Sequence, residues 1–179
     1  MSEGIQGLSL TLLAGIPGAG KSTYAGRFPP ASVISPDFCR WLIGDDEDAQ
    51  SVSEDADELA LHLLELRLRN GRSAVADGGT LDPARRHKLR QLARRYGAAA
   101  HLVLLDTPFW QACHNSWYRD RQIMPHVVYR CLEAFGTLCR TAPGESWDSI
   151  TTVQWDEKKG GPATVASPPA TLPRAISTV

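Results

Sequence analysis

The chain is 179 residues long, with a formal net charge of −1, 22% charged and 42% hydrophobic residues. That length suits one domain with a sizeable core, and the near-neutral balance excludes a chain-wide electrostatic pull toward nucleic acid or an anionic membrane. Four cysteines without a C-x-x-C pair, no signal peptide and no apolar run of about 18 residues lead us to expect a reduced, soluble, cytoplasmic protein with buried thiols.

In chain order, Leu8 to Ala14 is an apolar run of buried-strand length, and Gly15 to Ser22 reads Gly-Ile-Pro-Gly-Ala-Gly-Lys-Ser. This is a complete G-x-x-x-x-G-K-[ST] phosphate loop, followed by about two helical turns that Pro29-Pro30 stop. Further strands are expected at Ser32 to Ser35, Ser73 to Ala76, Ala99 to Leu105 and Ile150 to Gln154. Helices are expected between them. Glu54 to Asn70 repeats leucine at helical spacing, with Ser51 and Glu54 as a capping box and Gly71 as a stop. Asp82-Pro83 caps a basic helix ending near Gly97. Asp106-Thr107-Pro108 opens a helix through about Tyr118, and another runs from about Met124 to Arg140. The alternation predicts an α/β fold: a P-loop NTPase with a parallel sheet flanked by helices and a helical lid, occupying residues 1–156. Residues 157–179 lack periodicity and are expected to be a disordered tail.

Charge is segregated along the chain. Eight acids and no bases lie from Asp45 to Glu58, whereas Arg67 to Arg95 holds nine Lys or Arg against Asp77 and Asp82. Both stretches read first as solvated surface, and the basic helix could alternatively face nucleic acid.

The glycines of the loop let successive N–H groups point at an anion, Lys21 can reach the β/γ-phosphates and the Ser22 hydroxyl can ligate Mg²⁺. Ligands of such sheets bind at the carboxyl ends of the strands, so the residues following each strand are the candidates for chemistry. Asp37 and Arg40 follow the second strand: a carboxylate that could take a hydroxyl proton beside a guanidinium that could hold an anion. Asp37 could equally be a helix N-cap. After the third strand, Asp77 could bind Mg²⁺ and Thr80 could line the acceptor groove, or the pair could simply form a glycine turn with Asp77 as its cap. Arg119-Asp120-Arg121 could place positive charge over a migrating phosphoryl group, or end a solvated helix.

The loop Gly15 to Thr23, the stretch Val33-Ile34-Ser35-Pro36-Asp37-Phe38-Cys39-Arg40, Gly44-Asp45-Asp46-Glu47, Val75-Ala76-Asp77 and Asp120-Arg121-Gln122 together resemble the P-loop polynucleotide 5′-hydroxyl kinase family, as found in the kinase module of bacterial polynucleotide kinase-phosphatases. The similarity spans about residues 8 to 155. It implies that Gly15, Gly18, Ala19, Gly20, Lys21, Ser22 and Thr23 hold ATP, that Ser22 and Asp77 handle Mg²⁺, and that Asp37 is the general base. It further implies that Arg40 contacts the acceptor phosphate and that Arg119 and Arg121 are lid arginines on the donor. Lys21, Asp37, Arg40 and Arg121 would then carry catalysis. The chain departs from the family at Asp77-Gly78-Gly79-Thr80, where Asp-Ala-Thr-Asn is usual, and at His114 to Trp117, where a further arginine is usual. The expected activity is ATP-dependent phosphorylation of a 5′-hydroxyl on RNA or DNA. The alternatives are a small-molecule hydroxyl kinase and a non-catalytic nucleotide-binding subunit.

Overall fold

A computed structural model describes residues 7–118, 123–158 and 160–163. Its centre is strand β1 (Ser9–Ala14), which is buried on both faces, with Leu10 and Leu12 on one face and Leu13 on the other, all without meeting solvent. A near-continuous apolar run is what a central parallel strand requires. On one side lie β3 (Ala74–Asp77) and then β2 (Val33–Ile34); on the other lie β4 (Ala99–Asp106) and β5 (Ser149–Asp156), all parallel. The order β2-β3-β1-β4-β5 is completed by a short antiparallel strand β6 (Gly161–Pro162) against Trp155 and Asp156. The expected fold class is thereby borne out.

Helices supply the covering layers: α1 (Lys21–Ala25), α2 (Pro36–Gly44), α3 (Ser53–Arg69), α4 (Pro83–Arg95), α5 (Phe109–Trp117) and α6 (Pro125–Thr141). Leu64 and Leu68 of α3, Leu89 of α4, and Val128 and Leu138 of α6 join the sheet in one core. Among the described residues, no helix is long and apolar enough to cross a membrane.

Local signals worked unevenly. Asp82 caps α4 as expected, accepting from the Ala84 N–H at 3.0 Å. The Ser51–Glu54 capping box does not form. A 3₁₀ turn at Gln50–Val52 absorbs Ser51, and α3 starts at Ser53 without a side-chain cap; Glu54 and Asp55 in its first turn complement the helix dipole instead. Of the cysteines only Cys39 is buried; Cys113 and Cys131 are half-buried and Cys139 is exposed. Of the stretch expected to be a tail, the described part includes β6, whose Pro162 approaches Gly20 and whose carbonyl accepts from Arg27 at 3.1 Å.

Candidate active site

The chain leaves β1 at Ala14 and turns through the phosphate loop into α1. Gly18 and Gly20 sit at φ 79° and 85°, the left-handed region that costs glycine little. Gly18 is also pressed against α5, where a β-carbon would run into the Ala112 carbonyl and stand 2.6 Å from Ser116 Oγ. We therefore expect Gly18→Ala to weaken ATP binding at least tenfold and to lower the melting temperature, both readable by a thermal-shift titration with ATP; unchanged values would show that the loop relaxes freely.

Helix α5 holds the outside of the loop. Asn115 Nδ2 donates to the Gly18 carbonyl at 2.9 Å, Gln111 Nε2 donates to Asn115 Oδ1 at 2.7 Å, and Thr107 Oγ1 donates to the Ala19 carbonyl at 3.0 Å. Lys21 Nζ donates to the Gly15 and Ile16 carbonyls at 2.9 and 3.0 Å. Sequence reasoning missed Thr107, Gln111 and Asn115. The only available signal was their position just beyond the tip of β4.

At the tip of β3, Asp77 Oδ2 accepts from Ser22 Oγ at 3.2 Å, joining the two residues expected to handle the metal. A hydroxyl and one carboxylate are hard oxygen donors, and Mg²⁺ takes one or two carboxylates together with substrate phosphates, so this donor set fits. Thr80 does not line the groove. It is buried, and its hydroxyl donates to the Leu13 carbonyl at 2.6 Å, tying the turn after β3 to the end of β1. The carbonyls of Thr80 and Leu81 in turn accept from Arg86 Nη1 at 3.0 and 2.9 Å. The remaining donors of this buried guanidinium meet Glu145, at 2.6 Å to Oε1 and 3.1 Å to Oε2, and Arg90 pairs with the same carboxylate.

Helix α4, expected first as solvated surface and alternatively as a nucleic-acid face, turns several of its arginines onto acids of the protein itself. Arg86 and Arg90 meet Glu145, Arg85 meets Asp57 at 2.6 Å and Arg95 meets Glu65 at 3.1 Å, so these arginines neutralise the protein's own acids.

On α2 the N-cap is Ser35, whose Oγ accepts from the Phe38 N–H at 3.0 Å, with Pro36 at the first helical position. Asp37 is therefore not the cap. It forms an ion pair with Arg40, whose Nε also donates to the Glu47 carbonyl at 2.7 Å. Arg40 is largely covered, at 11% exposure, while Asp37 is open at 55%. Cys39 between them is held as a neutral thiol: burial pushes its pKa up, against the weaker opposing pull of Arg85.

One cleft of about 910 Å³ gathers Gly18, Gly20, Lys21, Ser22, Asp37, Arg40 and Asp77. Phe38 lines it beside Asp37 on α2, and Tyr118, Ile123, Met124 and Val127 line it from the end of α5 and the start of α6; sequence reasoning singled out none of these as site residues. Thr23 lies exposed on α1, and Ala19 is buried behind the loop. Arg119 and Arg121 lie outside the described residues. The arrangement can bind anionic phosphates at one end and present a carboxylate to a hydroxyl at the other.

No curated protein sequence matches the chain. Among solved structures, the AvrRxo1-ORF1:-ORF2 complex with ATP matches at 18% identity and a TM-score of 0.62, over 84% of this chain and 55% of that one. A candidate kinase from Chloroflexus aurantiacus matches at 17% and 0.58, over 84% and 87% of the two chains. The Pnkp1/Rnl/Hen1 RNA repair complex matches at 16% and 0.61, over 78% and 48%. The chain thus spans little more than half the length of the first of these. At such identities the likeness is one of fold alone, a P-loop kinase-like scaffold. A family model described as an AAA domain matches residues 10–124, more than half of the sequence, and the chain belongs to that AAA domain family.

Proposed function

We propose that the protein is an ATP-dependent kinase that transfers the γ-phosphoryl group to a hydroxyl, and that the acceptor is the 5′-hydroxyl of an RNA or DNA strand. The observation that carries this reading is the sharing of one cleft by the phosphate loop and the Asp37–Arg40 pair. The Pnkp1/Rnl/Hen1 RNA repair complex among the structural neighbours agrees with it.

On this reading the loop N–H groups and Lys21 hold the β- and γ-phosphates of ATP. Ser22 and Asp77 would hold Mg²⁺, which when bound neutralises charge on the transferring group. Asp37 accepts the acceptor's hydroxyl proton as its oxygen bonds to the γ-phosphorus. The bond from that phosphorus to the bridging oxygen breaks, and ADP leaves with the electron pair. Arg40 is anchored by the Glu47 carbonyl and uses two of its five N–H donors in the contacts described, so the remainder can meet an acceptor phosphate. Arg119 and Arg121 would add positive charge over the donor phosphates. With no redox step, the work is positioning and charge neutralisation.

One observation favours a second reading, a small hydroxyl-bearing acceptor: Arg85, Arg86 and Arg90 of α4 are paired with acids of the protein itself, and Glu47 stands on the cleft wall. Labelled ATP with Mg²⁺ and either a 5′-hydroxyl oligonucleotide or a panel of small alcohols separates the two. We expect label on the oligonucleotide, with affinity that falls steeply with salt. Label on a small alcohol alone would select the second reading, and nucleotide binding without transfer to any acceptor would reject both.

A further inference from the structure

Phe38 and Trp41 stand one helical turn apart on α2, on the solvent side of the catalytic cleft. Their rings stack at 5.7 Å between centroids and 26° between planes, yet each is 49% exposed. Phe38 lines the cleft beside Asp37 and Arg40, so the pair forms a shelf that starts at the proposed base and leads outward along the helix. The facing wall is apolar as well, through Tyr118, Ile123 and Met124, with Tyr118 and Met124 largely exposed.

Packing does not explain these rings. The buried face of α2 is made by Cys39, which packs with Ala56 and Ala60 of α3. Exposed apolar side chains concentrate on α2, where Leu42 and Ile43 are also 50% and 44% exposed, and an exposed apolar patch marks an interaction face. The rings of Phe38 and Trp41 offer a nucleobase a stacking platform that tolerates any sequence. A strand whose 5′-hydroxyl lies at Asp37 and whose first phosphate lies at Arg40 can continue along α2, where Trp41 directly follows Arg40.

We propose that Phe38 and Trp41 are a stacking shelf for the bases of a single-stranded acceptor, with Trp41 taking a base beyond the first nucleotide. This rests on the reading of the protein as a polynucleotide kinase, and it makes the acceptor a single strand of more than one nucleotide. Specificity then comes from strand form and length, because base–aromatic stacking discriminates poorly among bases.

The test compares two acceptors in the full chain: a nucleoside 3′-monophosphate, which can use only Asp37 and Arg40, and a single-stranded 5′-hydroxyl decanucleotide. In Trp41→Ala the KM for the decanucleotide should rise roughly 5- to 150-fold relative to that for the monophosphate, the range expected for loss of one base-stacking contact. Trp41→Phe should restore most of that ratio. An unchanged ratio in Trp41→Ala overturns the shelf while leaving the kinase reading in place. So does a dimer in sedimentation that Trp41→Ala dissolves with the ratio intact, which would make the surface a protein-docking face. If wild-type protein phosphorylates neither acceptor, the kinase reading falls. The shelf is then judged by decanucleotide affinity in fluorescence anisotropy, where Trp41→Ala must weaken binding by a similar factor or the shelf falls too.

Discussion

Asp37→Asn is expected to slow phosphoryl transfer by about 10²- to 10⁴-fold, the usual contribution of a positioned general base. Asparagine keeps the volume and can still accept a hydrogen bond from Arg40, so the helix start, capped by Ser35, stays intact. What disappears is the ability to take a proton from the attacking hydroxyl. Single-turnover transfer of labelled phosphate measures the loss, and calorimetric titration with ATP should show an affinity within about twofold of wild type, since the proposed mechanism puts the donor phosphates on the loop and not on Asp37. A transfer rate within about threefold of wild type would remove Asp37 from the role of base. Tightly bound ATP with no transfer even in the wild-type chain would instead identify a nucleotide-binding subunit.

The second large effect is on stability. Glu145→Ala strips the shared carboxylate from Arg86 and Arg90, and Arg86 is only 2% exposed. Leaving a buried charge without its partner costs about 3–5 kcal/mol. For a chain of this size that lowers the melting temperature by roughly 6–20 °C. Glu145→Gln should cost less, because an amide can still accept from one guanidinium.

The same carboxylate gives the fold an acid limit. Burial pushes the Glu145 pKa up, but the hydrogen bonds and charges of Arg86 and Arg90 outweigh it and hold the group below the ordinary glutamate value. A carboxyl depressed in the folded state contributes stability that is complete above its unfolded pKa of about 4.3 and is lost as the pH falls through the folded value. Acid unfolding of wild-type protein should therefore steepen below about pH 4, and Glu145→Ala should flatten that part of the curve. Equal slopes would mean that the pair contributes nothing across this window.

Much of this architecture was legible because it is written locally. The phosphate loop sits in eight consecutive residues, the strands are apolar runs bounded by turn residues, and Asp82-Pro83 announces α4. The rule that ligands gather at strand tips also brought Asp37, Arg40 and Asp77 together before any coordinates, and all three line the cleft with Lys21 and Ser22. What escaped is non-local. Glu145 is 59 residues from Arg86, and nothing near either one announces the pair. Thr80 looked like a groove residue because it follows a strand tip, but its hydroxyl is claimed by Leu13, 67 positions earlier. Strand β6 is a glycine and a proline, a composition that argues against a strand except at a sheet edge, which is where it lies. The aromatic shelf was hidden for the opposite reason: Phe38 and Trp41 read as ordinary apolar residues of a helix until their exposure is known.

The grip of α5 on the phosphate loop bears on where mutations should matter. By capturing the Gly18 and Ala19 carbonyls from outside, Asn115 and Thr107 set the tilt of the peptide planes that shape the loop. Affinity for the donor is then encoded partly in side chains 97 and 88 positions away in sequence, neither of which is among the residues lining the cleft. A map of nucleotide affinity drawn over the whole chain would thus show a second island of sensitivity at Thr107 and along α5, outside the motif itself.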